Sequence, residues 1–256
     1  MTGAALAWHQ FRADQIVFWR RPASVFFTVV FPLIFLFIFA GIFGGETIPE
    51  YGGIDVSTYY VPAIITLAVV SATAQSLAIN LTEARENGRL KRVRATPLPA
   101  WAFVAGRVGN AFVTSLLMVA LVTAIGAVLF DAEVPDNTLP GLLATLVVGA
   151  FAFSCVGFAL TAAIPTQEAA SPITNVALFP LYFLSGVFIP DTELPEGVLR
   201  FADLFPIRHF FESFFAAFDP ATTGAGIELG NLAIVGAWGI AGLLVALRWF
   251  RWAPRG

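Results

Sequence analysis

The sequence predicts an all-α integral membrane protein with six transmembrane helices. Only 12% of its 256 residues are charged and 58% are hydrophobic, whereas soluble domains carry about 25% charged residues. With so little polar surface, most apolar side chains must face lipid or neighbouring helices. Six charge-free runs also reach the length of about 20 residues that crosses the hydrocarbon core of a bilayer. We therefore expect one transmembrane domain over residues 1–256.

The first predicted element is an interfacial helix over residues 4–21, where aromatic side chains recur on one face at helical spacing. The apolar run that follows is too long for a signal-peptide core and lacks a small-residue cleavage site, so it is interpreted as a permanent span. The six predicted spans are 24–44, 56–80, 108–130, 139–164, 169–190 and 229–247.

Basic residues determine the predicted orientation. With six spans, both termini and the loop after the second span share one side, which holds twelve of the fourteen lysines and arginines. The other side carries most of the acidic residues. Because cytoplasmic loops carry the excess of lysine and arginine, both termini are predicted to be cytoplasmic.

The exterior segment 191–227 is longer than a connector requires. It carries seven phenylalanines among acidic residues, and exposing all of these rings to water would be unfavourable. We therefore predict short helices that dip into the outer leaflet as a re-entrant segment.

Residue counts exclude several kinds of catalytic site. The single lysine, Lys91, does not end a glycine-rich phosphate loop, so the chain has no Walker A motif. The two histidines, His9 and His209, cannot form an H-E-x-x-H metal site. Cys155 lies in an apolar run and is predicted to pack rather than to react. We expect no enzyme activity, no metal and no cofactor in this chain, and no nucleic-acid partner.

One stretch is strongly charged, EARENGRLKRVRATPLPAW at residues 83–101. Its acidic residues precede its basic residues, which favours a helix, and the helix is predicted to stop at Thr96 because the residue before Pro97 avoids helical angles. The loop that holds it, 81–105, is suited to binding anionic lipid, to acting as a topology signal, or to docking a cytoplasmic partner.

Two blocks resemble a known family. Residues Glu83 to Leu90, followed by Ala95-Thr96-Pro97-Leu98, resemble the E-R-E-x-G-x-L…A-T-P-L signature of ABC-2 type exporter permeases such as the bacterial daunorubicin-type drug-resistance permeases. Residues Phe183 to Pro190, with Leu194-Pro195 and Phe205 to His209, resemble the family's block at the fifth span and the exterior segment. The arginine that the family commonly has after this block is not matched in FFESFFAAFDP.

The resemblance implies the membrane subunit of an ATP-driven exporter in the bacterial inner membrane. It also implies that the charged helix is a cytoplasmic coupling helix that binds a separate nucleotide-binding ATPase subunit, where ATP and Mg²⁺ would be bound. A second permease chain, identical or similar, would complete the transporter. The predicted contact and shaping residues of the coupling helix are Glu83, Arg85, Glu86, Gly88, Arg89, Thr96 and Pro97.

The aromatic and aliphatic spans favour a hydrophobic or amphipathic cargo, such as a drug, an antibiotic or a lipid-like molecule. A polysaccharide or glycolipid is the alternative cargo. An energy-independent channel or carrier, and a membrane scaffold or sensor that transports nothing, are the alternative classes. The residues predicted to line the path are Phe35, Phe39, Gln75, Asn110, Phe179, Tyr182 and Phe183.

Overall fold

The architecture is a bundle of long helices. The computed structural model describes residues 3–20, 22–96, 98–250 and 252–253. Among these residues, five helices are long and apolar enough to cross a membrane: Phe26–Phe43, Val56–Glu86, Ala100–Phe130, Leu139–Ala163 and Leu229–Trp249. The prediction of a helical, multi-pass membrane protein is therefore confirmed.

The elements follow one another in a simple order along the described residues. The α-helices are α1 (Gly3–Trp19), α2 (Pro22–Val25), α3 (Phe31–Phe43), α4 (Val56–Val70), α5 (Ser76–Glu86), α6 (Arg89–Arg94), α7 (Ala100–Phe130), α8 (Leu139–Ala163), α9 (Gln167–Leu184), α10 (Glu196–Ala202), α11 (Pro206–Phe218) and α12 (Leu229–Trp249). Two π-helical turns, Phe26–Val30 and Ser71–Gln75, join α2 to α3 and α4 to α5. A hairpin of β1 (Thr47–Ile48) and β2 (Ile54–Asp55) precedes α4.

A central rod, formed by α4, the π turn Ser71–Gln75 and α5, is the axis of the bundle. Asp55 starts it, because its Oδ1 accepts hydrogen bonds from the Ser57 backbone N–H at 2.8 Å and from the Ser57 hydroxyl at 2.7 Å. Every residue of α4 is buried, and α3, α7 and α11 pack around it. The core therefore lies along this rod.

The rod extends beyond the predicted second span, 56–80. Leu81, Thr82 and Ala84 are buried, so packing continues the helix through Glu86. The first part of the predicted coupling segment, 81–105, is therefore the end of the rod. Only α6 forms a separate helix there, and the prediction of one charged helix starting near Glu83 is corrected.

Other boundaries also shift. The predicted third span, 108–130, begins earlier, at Ala100. The predicted fifth span, 169–190, corresponds to α9, which ends at Leu184. Its 18 residues are about 27 Å long, and its polar first turn and two internal prolines set it apart from the five apolar helices.

The predicted exterior segment, 191–227, contains α10 and α11, and α11 turns four of its rings inward. On α11, Phe210, Phe211, Phe214 and Phe218 are buried because that helix packs against α4, α8 and α12. These four rings therefore contact neighbouring helices of the chain, and the depth of the segment in the outer leaflet stays a prediction.

Small residues bring α8 and α12 together closely. A methyl group added at Gly239 would lie 2.8 Å from the Cβ of Ala152, and one at Gly242 would lie 2.9 Å from the backbone of Cys155. Close backbone approach at small residues is typical of packed membrane helices. Cys155 is buried here, in agreement with its predicted packing role.

Candidate functional site

The charged segment occupies the basic end of the bundle. The rod stops at Asn87, and Gly88 adopts the left-handed conformation with φ +67°, which glycine tolerates at no steric cost. This turn starts α6, whose Leu90 is only 1% exposed and packs in a cluster with Leu81 and Phe103. One side of α6 is thus fixed to the bundle.

The other side of α6 faces outward. Lys91, Arg92 and Arg94 are exposed, as are Ala95 and Thr96 after the helix. Thr96 forms a local turn after α6. Its hydroxyl donates to the Val93 carbonyl at 2.6 Å and accepts from the Leu98 N–H at 3.4 Å. Pro97 lies outside the described residues.

Arg85 is buried inside the bundle, whereas a residue that contacts a partner subunit is expected to be exposed. It is 2% exposed, and its guanidinium donates to the carbonyl oxygens of Thr161 at 3.0 Å, Ile164 at 2.8 Å and Pro165 at 3.2 Å. It also pairs with Glu86 at 2.8 Å. Carbonyls at the end of a helix lack intrahelical partners, so Arg85 caps α8 and ties it to the rod.

The remaining predicted coupling residues lie around this cap. Glu83 and Glu86 are half-buried, Gly88 is partly exposed, and Arg89 is exposed. Asn87 reaches across to the first residue of α9, where its side-chain amide donates to Gln167 Oε1 at 3.2 Å. The end of the rod therefore contacts both α8 and the α8–α9 turn.

Helix α1 packs beside this end. Asp14 is buried, pairs with Arg107 at 3.3 Å and accepts from the Gln10 side chain at 3.0 Å. Burial raises the pKa of Asp14, while Arg107 and Gln10 oppose that shift. Arg89 and Asn110 line a cavity of about 40 Å³ against this pair. Asn110 thus lies at the contact between α1 and α7, and its place on the path stays a prediction.

At the end of the bundle that holds the β1–β2 hairpin, Arg208 lies close to three carboxylates. Its guanidinium lies 2.8 Å from Glu212, 3.3 Å from Asp203 and 3.4 Å from Asp191. Burial alone would lower its pKa, but these carboxylates outweigh burial and raise it. Asp191 also accepts a hydrogen bond from the Tyr51 hydroxyl, so this cluster holds segment 191–227 against the β1–β2 hairpin.

A polar groove lies between spans, at the level of both π-helical turns. It has a volume of about 230 Å³ and is bordered by the turn Phe26–Val30, the rod and α9. Inside it, Gln75 Nε2 donates to Asn175 Oδ1 at 2.6 Å. Isolated π turns occur frequently at functional sites. Seven polar side chains line the groove: Thr28, Ser71, Gln75, Ser76, Asn80, Ser171 and Asn175.

An aromatic ladder continues from this groove along one face of α3. We use this name for Phe27, Phe31, Phe35 and Phe39, which are spaced four residues apart. Their successive ring centroids are 6.0, 4.9 and 5.9 Å apart. Phe27 also lines the groove, so polar and aromatic surfaces form one continuous face.

The other predicted path residues meet this ladder through a ring that the sequence did not single out. Phe188 is 5% exposed. Its ring centroid lies between 4.8 and 6.4 Å from the centroids of five of the predicted residues, Phe35, Phe39, Phe179, Tyr182 and Phe183. The structure therefore brings these five together and places Gln75 in the adjoining groove.

These features define a multi-pass helical membrane protein with a polar and aromatic face between its spans and a basic helix at one end. The chain belongs to the ABC-2 type transporter family, whose model matches residues 5–218. The predicted resemblance to that family is confirmed.

Named relatives agree with this assignment. The chain is 28% identical to the inner membrane transport permease YadH of Escherichia coli K12 over 190 residues, 73% of each protein. It is 27% identical to the daunorubicin resistance ABC transporter permease protein DrrB1 of Streptomyces coeruleorubidus over 205 residues, 78% of this chain and 70% of that protein. It is 26% identical to the probable multidrug ABC transporter permease YbhR of Escherichia coli K12 over 160 residues, 61% of this chain and 42% of that protein.

Proposed function

We propose that this chain is the permease subunit of an ATP-driven exporter that moves a hydrophobic or amphipathic compound. The observation that carries the proposal is the polar groove that continues into the aromatic ladder. Polar groups at membrane depth are costly unless they serve a path or an interface, and sites for amphipathic molecules combine apolar walls with a few polar groups. Relatives named as multidrug and drug-resistance permeases support this class of cargo.

The proposal treats α9 as the fifth of six spans. Its polar residues border the groove, where neighbouring helices and water-accessible space can satisfy them. Both termini are then cytoplasmic, because α6 and the end of α12 carry basic residues. A second permease chain against the half-exposed aromatic ladder would enclose the groove as a central path.

We assign energy supply to a partner. ABC-2 permeases work with an ABC ATPase subunit, and that subunit would bind ATP and Mg²⁺. Here α6 is fixed on one side by Leu90 and presents exposed basic residues on the other, as a docking helix requires. Because the Arg85 cap joins the rod to α8, force on α6 would reach several spans as one body.

The test is docking and stimulation of the ATPase subunit encoded beside this permease. Arg92→Glu combined with Ala95→Trp alters two exposed positions without touching the cap. We expect this variant to insert normally but to lose co-purification and ATP turnover in lipid vesicles. Arg12→Glu combined with Ala13→Trp, both exposed on α1, is the matched control and should bind normally. If both variants bind equally well, α6 is only a topology signal.

A further inference from the structure

A second groove opens on the opposite flank of the bundle, at its basic end. It lies between the first turns of α7, the second half of α8 and the last turns of α12, and its volume is about 450 Å³. Its walls are apolar, with Trp101, Val104, Phe151, Cys155, Leu247 and Phe250 among them. None of the residues of the polar groove or the aromatic ladder takes part in it.

This groove continues toward the membrane surface. A cavity of about 240 Å³ shares Ala100 and Trp252 with it and is lined further along by Leu98, Phe103 and Arg94. We call these two adjoining cavities the channel. Its walls between the spans are mainly apolar, and the Arg94 guanidinium lies at its other end, the mouth. Tryptophans at both sides of the junction, Trp101 and Trp252, are typical of the membrane–water interface.

The mouth carries positive charge that the described residues do not neutralise. Within the described residues, Arg94 has no carboxylate within 4 Å, and the same is true of Lys91, one turn earlier on α6, and of Arg248 in the last turn of α12. An exposed basic cluster beside a membrane attracts anionic lipid headgroups. The charge of the mouth thus complements the headgroup of an anionic lipid.

Both ends of the channel specify the chemistry of its occupant. An acyl chain gains little by leaving lipid for an apolar groove, because lipid tails are as apolar as leucine. Selectivity must therefore come from the charged mouth, while the apolar end sets the requirement for a chain. A soluble anion has no acyl chain for the apolar end, and a zwitterionic lipid has no net charge for the mouth, so neither satisfies both ends.

We propose that this channel holds one anionic phospholipid of the leaflet at the basic end, with an acyl chain between α7, α8 and α12 and its phosphate at Arg94. The site is separate from the proposed path and does not depend on which compound the protein transports. Bound there, the lipid bridges α6 to α7 and α12, so it would brace the helix that we propose to dock the ATPase.

The experiment is native mass spectrometry of the whole protein taken from vesicles of equal phosphatidylglycerol and phosphatidylethanolamine. We expect the native chain to retain one phosphatidylglycerol in preference to phosphatidylethanolamine. Arg94→Gln should lower that preference about fivefold, the effect of one basic residue near a membrane surface. The matched control is Arg92→Gln, which removes the same charge from the same helix outside the channel and should leave the preference unchanged.

A second variant tests the apolar end. Val104→Trp fills the groove and should reduce retention of both lipids, while glycerol 3-phosphate, a head without chains, should not displace the bound lipid. Equal preference in the Arg94 and Arg92 variants would overturn the proposal. So would loss of a second copy of the chain, and not of lipid, on Val104→Trp, because the groove would then be a contact between permeases.

Discussion

Removing the Arg85 side chain should be among the most destabilising changes at the basic end. Arg85→Ala leaves the carbonyls of Thr161, Ile164 and Pro165 without the donors that now lie at 2.8 to 3.2 Å. Each hydrogen bond to a charged group contributes about 1.5–3 kcal/mol, and breaking a buried charged contact costs about 3–5 kcal/mol overall. We therefore expect a loss of about 4 kcal/mol in the free energy of unfolding.

Thermal unfolding of the purified protein in detergent measures this loss. A change of 1 kcal/mol lowers the Tm by about 2–4 °C in a chain of this size, so Arg85→Ala should melt about 8–16 °C lower. Arg85→Lys should recover only part of the loss, because one ammonium cannot reproduce the planar fork of donors. Arg89→Ala, an exposed neighbour, should shift the Tm by no more than about 2 °C. Equal shifts for Arg85→Ala and Arg89→Ala would refute the proposed cap.

Three further predictions address other contacts. Gly239→Ala should lower the free energy of unfolding by about 1–3 kcal/mol, since its methyl group would clash with α8. Gly236→Ala on the same helix faces open space and should raise it by up to about 1 kcal/mol. Equal Tm values for the two variants would contradict this. Burial raises the pKa of Asp14 above its unfolded value of 3.8, so the native chain should lose stability relative to Asp14→Asn as the pH rises above that value; a parallel pair of Tm–pH curves would contradict it. Phe188→Ala should lower the free energy of unfolding by about 3–5 kcal/mol. Phe183 is 44% exposed, so Phe183→Ala should lower it clearly less in the same Tm measurement. An equal loss would show that Phe188 is not the central ring of the aromatic cluster.

Long apolar runs made the main spans predictable. A span of lipid-soluble residues can only be helical, because every backbone polar group must be satisfied inside the segment. The end of the second span was not predictable on this basis. Glu83 and Arg85 have the composition of a solvated loop, and the helix continues there because Leu81 and Ala84 are buried by neighbouring helices.

The kinds of residue in the candidate site could be predicted from the sequence, but the contacts between them could not. Polar residues within spans pointed to Gln75, but its partner, Asn175, lies 100 positions away, and no periodicity relates the two. Arg85 binds backbone carbonyls, which every residue has, so the sequence cannot show which residues are its partners. Phe188 lies within the block that resembles the family. It contacts five other rings only because the chain reverses direction after α9.

The most direct test of the exporter account is access of water to the polar groove during ATP turnover. The chain has one cysteine, so Gln75→Cys in a Cys155→Ser background gives a single thiol in the groove, and Leu117→Cys gives a control on the exposed side of α7. A thiol reacts with a water-soluble maleimide only where water allows the thiolate to form. The account predicts that the Gln75→Cys thiol reacts and that its rate changes when the partner ATPase hydrolyses ATP, while Leu117→Cys stays unreactive. A rate at Gln75→Cys that is negligible, or that is the same with and without ATP, would contradict it.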